Sequence, residues 1–269
     1  MTESRTFLVT GCASGIGRAL ANAIVTRGHR LVATDRDLPA LQDHAVNARW
    51  PDTQVIVRKL DVTDPIEWDA VVAIGSKRFH DIDVLVNVAG YLMPGWAHEV
   101  EEDAVHRTFD VNVKGVVFGM RAVLPAMIER HAGHIINVAS LAALAPIAGI
   151  GLYSASKYAV RGYSLAAAQE VRRHGVKVTV VCPDAVRTPM LELQRDYEQA
   201  AMTFSGPRVL EPEDVVRAIL DDALVRAPLE LWLPSHRGLL ARLADLMPRA
   251  AQAIEPILRK RGRSRQRDL

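Results

Sequence analysis

Seven short apolar runs, separated by longer stretches whose apolar residues recur at helical spacing, constrain this chain more than any other feature. The runs are TFLVT, HRLVATD, QVIVRKLD, DVLVNVA, GHIINVAS, VKVTVVCP and LELWLP, and the helical patterns cover 16–27, 38–49, 65–79, 99–130, 154–174 and 211–225. Strands joined through a helix run parallel, because tight turns join only antiparallel neighbours. Runs with little polar alternation are buried on both faces, as when helices cover both sides of a sheet. The pattern therefore predicts an α/β fold, a doubly wound parallel sheet with right-handed crossovers, as a single domain over 1–234 followed by an amphipathic helical extension over 235–269. A length of 269 residues, 49% of them hydrophobic, supplies enough core for one such domain.

In a sheet of this kind ligands bind beyond the carboxyl ends of the strands, which makes Gly11, Asp35, Asp61, Asn87, Ser140 and Pro183 the first candidates for chemistry. The stretch from Thr10 to Gly17 reads TGCASGIG, a turn with glycines at Gly11, Gly15 and Gly17 and with Ser14 and Ile16 between them. Without side chains there, the backbone can turn sharply and a diphosphate can approach, while free amides at the helix start favour its negative charge. Asp35 ends the second run, where a carboxylate accepts from ribose hydroxyls and repels a 2′-phosphate, so NAD is expected over NADP. Arg36 and Arg18 are the guanidinium groups that would reverse this preference; a solvated loop charge is the simpler reading of Arg36. Asp61 and Val62 are placed beside the adenine, although Asp61 can equally cap the helix that starts near Pro65.

Tyr153 and Lys157 lie four residues apart in YSASK, so on a helix their side chains share one face. A phenol releases its proton poorly near neutral pH unless positive charge stabilises its anion, and Lys157 supplies that charge. Singly, Tyr153 reads as a packed aromatic, Ser140 as a loop hydroxyl and Asn112 as a helix linker. Together with TGxxxGxG at Thr10 to Gly17, Asn87-Val88-Ala89-Gly90 and YxxxK at Tyr153 to Lys157, they resemble the short-chain dehydrogenase/reductase family from about Thr6 to Pro234, with Ser140 at the family's separation from the tyrosine. The resemblance implies a Rossmann-like fold, a nicotinamide cofactor and a catalytic set of Asn112, Ser140, Tyr153 and Lys157. In that set Ser140 donates to the substrate oxygen, Lys157 also bonds the nicotinamide ribose, and Asn112 holds a water that links Lys157 to solvent. It also implies cofactor contacts from Asn87, Ala89, Gly90, Pro183, Val186 and Thr188, and an oligomer built on the helices at 99–130 and 154–174. Two departures stand out: Val88 replaces the commoner second asparagine, and Asp184 stands where glycine usually lets the backbone near the nicotinamide. A nucleotide-sensing or scaffold protein of the same fold is the competing reading, but it has no need of a proton relay.

Tyr91, Met93, Trp96, Leu141, Leu144, Ile147, Leu152, Met190 and Leu191 are the expected substrate contacts, which suits a small hydrophobic alcohol or ketone. The segment 189–207 reads as a lid loop. A formal net charge of +2 argues against a nucleic-acid partner. Cys12 and Cys182 are too few and too far apart for a disulfide framework or a zinc site, which fits a reducing compartment. The start lacks an apolar run of signal-peptide length behind a basic segment, and a cytoplasmic protein is expected. The uncharged run at 135–156 is interrupted by Asn137, Pro146, Gly149 and Gly151, and reads as a buried strand and a small-residue loop. Beyond Pro234 an apolar stripe ends in Arg259, Lys260, Arg261, Arg263, Arg265 and Arg267, a tail that reads as a solvated, disordered end. Packing of the stripe on the body is the simpler expectation for this extension, and peripheral contact with an anionic membrane the other.

Overall fold

A computed structural model describes residues 4–268. Its strands are β1 (Thr6–Thr10), β2 (Arg30–Asp35), β3 (Val55–Lys59), β4 (Val84–Asn87), β5 (Gly133–Val138), β6 (Val176–Pro183) and β7 (Glu230–Leu233). All pair in parallel, in the order β3-β2-β1-β4-β5-β6-β7. The order reverses between β1 and β4, where a crevice opens above the carboxyl ends.

The alternation of side chains along each strand divides the core into two layers. Leu8, Val32, Leu85 and Ile135 face one side, where α3 (Pro65–Phe79), α5 (Gly115–Glu129) and α6 (Gly151–Val171) bring Trp68, Met120, Met127 and Val160. Phe7, Val9, Leu31 and Val86 face the other, covered by Leu20 and Ile24 of α1 (Gly15–Thr26), Leu41 of α2 (Leu38–Asn47) and Val215 of α8 (Pro212–Arg217). Helix starts follow from local chemistry: the Asp37 carboxylate accepts from Ala40 N, and the Asp64 carboxylate from Ile66 N and Glu67 N with Pro65 at the first position. Asp64 thus fills the capping role considered for Asp61.

The helix expected at 99–130 is divided. α4 (Glu102–Phe109) passes into a π turn, Asp110–Lys114, and continues as α5. The whole path Glu102–Glu129 is long and apolar enough to cross a membrane by length and composition, yet Val116, Met120, Val123 and Met127 of it pack on the sheet. Beyond β6 the segment expected as a lid loop is built of short helices: α7 (Pro189–Leu193) and 3-10 turns at Gln194–Asp196 and Glu198–Ser205. After α8 the chain winds through a π turn, Ala218–Ala223, and α9 (Leu224–Arg226) into β7, then forms α10 (Ser235–Leu246) and α11 (Pro248–Asp268).

The last helix corrects the expectation of a disordered basic tail. Gly262 meets the 3-10 turn so closely that a Cβ there would lie 1.9 Å from Ala201 O. Gln266 is buried, and its amide donates to Gln194 O and Tyr197 O, each at 2.8 Å, while Arg265 donates to Gly206 O. Arg259 lies over the Trp96 ring at 4.8 Å. Arg265 and Gln266, which looked like part of a solvated end in the sequence, satisfy open carbonyls of the short helical turns.

Candidate active site

The turn between β1 and α1 is held open by backbone geometry. Gly11 has φ of +74°, a left-handed conformation that favours glycine, and a Cβ on Gly17 would stand 2.0 Å from Gly11 O. Ser14 precedes α1 without a side-chain cap, which leaves the first amides of the helix free to bind an anion. The Asp35 carboxylate locks this turn: one oxygen accepts from Ala13 N at 2.9 Å and the other from Asp37 N at 2.9 Å. Arg36 is exposed beside it and lines the cavity, whereas Arg18 is exposed and does not line it.

One cavity of about 1610 Å³ runs from this turn to the C-terminal helices. That exceeds the ordinary range for a single drug-sized ligand and leaves room for a dinucleotide and a substrate together. Gly11, Ser14, Gly15, Ile16, Gly17, Asp35, Arg36, Asp61, Val62, Ala89, Gly90, Pro183, Val186 and Thr188 all line it, as do Ser140, Tyr153 and Lys157. Asp61 accepts from Thr63 N and Thr63 Oγ1. Burial alone would raise its pKa, but those hydrogen bonds and the charges of Lys59 and Arg36 hold it below the usual carboxylate value.

Asn87 does not belong to this set. It is paired in register with Asn137, and its amide donates to Asn137 Oδ1 at 2.8 Å; Asn137 then donates to Ser164 Oγ at 2.8 Å. The expected cofactor contact is instead a buried strut that joins β4, β5 and α6. A polar side chain this deep needs every hydrogen bond it can make, and the partners lie inside the protein. Val88, the departure from the second asparagine, leaves the neighbouring amides satisfied, since Val88 N and Ala89 N both donate to Thr10 Oγ1.

At the reacting end, Tyr153 and Lys157 lie on α6 with Lys157 Nζ 5.5 Å from the centre of the Tyr153 ring. Lys157 is buried and donates to Val138 O at 2.9 Å. Burial lowers its pKa to about 8, still above neutrality, so the amine carries a proton at pH 7. Burial pushes the Tyr153 phenol up to about 12, and the Ser140 hydroxyl pulls it the other way. The phenol keeps part of its surface toward the cavity, so water there moderates that rise. Burial governs the resting phenol, contrary to the expectation from YSASK that the lysine charge would lower it. Cys182, also buried, has a thiol pushed up to about 12 and stays neutral.

Asn112 lies in the π turn and is fully buried. Its amide donates to Tyr91 O at 2.8 Å and to Ser156 Oγ at 2.9 Å, and its oxygen accepts from Tyr91 N at 2.7 Å. Both amide hydrogens are used, so Asn112 clamps the Tyr91 backbone to α6 rather than donating to a water beside Lys157.

The substrate end is walled by Tyr91, Leu141, Ile147, Ile150, Met190 and Leu191, and then by Leu240, Ala241, Ala244, Ile254 and Leu258 of α10 and α11. Of the expected contacts, Leu144 packs in the core, while Met93, Trp96 and Leu152 fall outside the lining. The contribution of the C-terminal helices was missed because an apolar stripe reveals that a helix packs without revealing against what. Asp184 accounts for their position. Its carboxylate accepts from Arg237 Nε at 2.7 Å, an ion pair in the cavity wall that ties α10 to the end of β6. A second tie runs from Tyr158 OH to Asp245 Oδ1 at 2.7 Å.

With this geometry in place, the comparisons agree on a class. The family described as short chain dehydrogenase matches residues 5–199. The chain belongs to the short-chain dehydrogenase/reductase family and is an NAD(P)-dependent oxidoreductase. It is 35% identical over 221 residues to a protein of Salmonella typhi named NADP-dependent 3-hydroxy acid dehydrogenase YdfG, covering 79% of this chain and 86% of that one. The crystal structure of a short-chain dehydrogenase from Streptomyces avermitilis superposes with a TM-score of 0.80 at 31% identity, over 96% of this chain and 99% of that one. A short-chain dehydrogenase/reductase from Burkholderia phymatum, in complex with NAD, gives 0.81 at 27% identity over 90% and 92%.

Proposed function

We propose that the protein interconverts a secondary alcohol and a carbonyl on a hydrophobic substrate, with Tyr153 as the group that gives or takes the substrate's proton. The observation that carries this is the position of the Tyr153 phenol. It faces the cavity beside Ser140, between the glycine turn and the apolar wall of α10 and α11. A nicotinamide cofactor, when bound, supplies or accepts the hydride. The residues that would hold it are the glycine turn, with the free amides of α1 for the diphosphate, together with Asp61, Val62, Ala89, Gly90, Pro183, Val186, Thr188 and Lys157.

The chain's own contribution is a proton at a defined atom. A phenol titrating near 12 holds its proton at neutral pH, so Tyr153 is ready to act as an acid toward a carbonyl oxygen. Ser140 donates toward the same oxygen and favours the charge that develops there. The Lys157 ammonium, held by Val138 O, steadies the phenolate as the proton leaves. Asn112 is a positioning residue that fixes Tyr91 and the turn of α6 through Ser156. Ile147 and Met190 packed with Tyr153, and Leu141, Leu240 and Ile254 along the same cavity, favour a hydrophobic alcohol or ketone.

For the cofactor we favour NAD. Asp35 keeps one lone pair on each oxygen after its two backbone bonds, which suits the ribose hydroxyls, and its charge opposes a 2′-phosphate. Arg36, and the NADP in the name of the Salmonella relative, define the opposing outcome. Thermal unfolding with NAD and NADP at equal concentration decides it, since a ligand bound only by the folded state raises the midpoint. A larger rise with NAD is expected; a larger rise with NADP would assign Arg36 to the phosphate. No rise with either would refute the nucleotide site.

A further inference from the structure

We propose that the outer face of α10 and α11 docks on an anionic lipid surface, so that the substrate end of the cavity opens at that surface. Six of the thirteen exposed large hydrophobic side chains among the described residues lie on these two helices, and a seventh, Met247, at their junction. Leu239, Leu243 and Leu246 recur along one side of α10, flanked by Leu240 and Met247, and Leu246 is 75% exposed. On α11, Ile254 and Ile257 continue an apolar face, Ile257 being 68% exposed. The opposite side of α11 is engaged through Gly262 and Gln266, so the outward face is the one left over after packing on the body.

Charge selects the occupant. From Ser235 to Asp268 the sequence holds nine lysines and arginines against three carboxylates; with 33 basic and 31 acidic residues in the whole chain, the remainder holds 24 against 28. Positive charge is thus concentrated on the helices that carry the apolar face. Arg249, Lys260, Arg263 and Arg267 recur at helical spacing along one side of α11 and are exposed, with Arg263 also 3.5 Å from Glu198. An apolar stripe flanked by basic side chains matches the boundary between acyl chains and anionic headgroups. A second copy of this chain would bring like charges together at the same face.

The face is continuous with the cavity. Leu240 and Ile254 line it, yet they are 59% and 50% exposed on the outer surface. A lipophilic substrate would pass from the lipid into the cavity along these side chains. That route rests on the proposed function, whereas the docking does not.

The test is sedimentation of the full chain with vesicles of phosphatidylglycerol and phosphatidylcholine, or of phosphatidylcholine alone. Binding to the anionic vesicles is expected, weakening at high salt, with little to the neutral ones. The variant L243E/L246E/I257E, altered only at exposed positions outside the cavity lining, should bind at least about ten-fold more weakly. Its thermal shift with NAD or NADP should match the parent's, which separates loss of docking from failure of the nucleotide site. Absence of parent binding to the anionic vesicles would overturn the proposal, and so would equal binding by the variant. So would a parent that binds neither vesicle and forms a dimer which the variant dissolves; the face then holds a second copy.

Discussion

Lys157 is held at a cost to the fold. In the unfolded chain the amine titrates near 10.4, but burial lowers it to about 8 in the folded protein. Between those values the unfolded chain binds more protons, so stability rises with pH there, and below about 8 the full cost of the buried charge is present. Lys157→Met removes that cost, which is roughly 3 kcal/mol at full size, and gives up a hydrogen bond to Val138 O worth ~1 kcal/mol. The variant is therefore expected to unfold at higher urea than its parent near pH 7, with the difference shrinking toward pH 10. A difference that stays constant with pH would mean that the lysine charge is not what burdens the fold. Asp184 shows a second residue-scale effect: the departure from glycine, which the sequence leaves unexplained, is occupied by Arg237 across the chain.

At the scale of elements, the π turn at Asp110–Lys114 and the docking of α11 decide how the site is enclosed. The π turn buries Asn112 against Tyr91 and Ser156 within an otherwise α-helical path. α11 needs Gly262, because any side chain there meets Ala201 O. Gly262→Val should lift α11 from Glu198–Ser205, and amide hydrogen exchange across that segment should speed up by at least about ten-fold while β1 and β4 keep their protection. Unchanged exchange would show that α11 does not hold the segment. The strands and their parallel pairing were legible in the sequence because unbroken apolar runs linked by helical stretches favour a buried parallel sheet, whereas their order came from the fold. The glycine turn, Ser140, Tyr153 and Lys157 were legible because their spacing is local and their residue types are restricted. Asn87, Leu144 and the C-terminal wall were not: which face a strand-end asparagine takes, or what an apolar stripe meets, depends on partners far away in sequence. Segment 189–207 looked like a loop because its short turns find hydrogen-bond partners in α11, about seventy residues on.

At the scale of the whole molecule, a parallel sheet gathers residues from many elements along one crevice, with the nucleotide turn at one end and a wall built by the C-terminal helices at the other. Asp184–Arg237 and Tyr158–Asp245 join that wall to β6 and α6, the elements that end in the cofactor face and carry the phenol. Substrate shape and proton transfer are thereby set by parts of one connected frame. The claim at its centre is that Tyr153 moves the proton. The most direct measurement compares the parent with Tyr153→Phe, following nicotinamide absorbance with a hydrophobic secondary alcohol or ketone that the parent turns over, and in parallel the thermal shift with cofactor. Loss of the hydroxyl should lower turnover by roughly 10²–10⁴-fold and leave the thermal shift nearly intact. Turnover that survives the substitution would contradict the account.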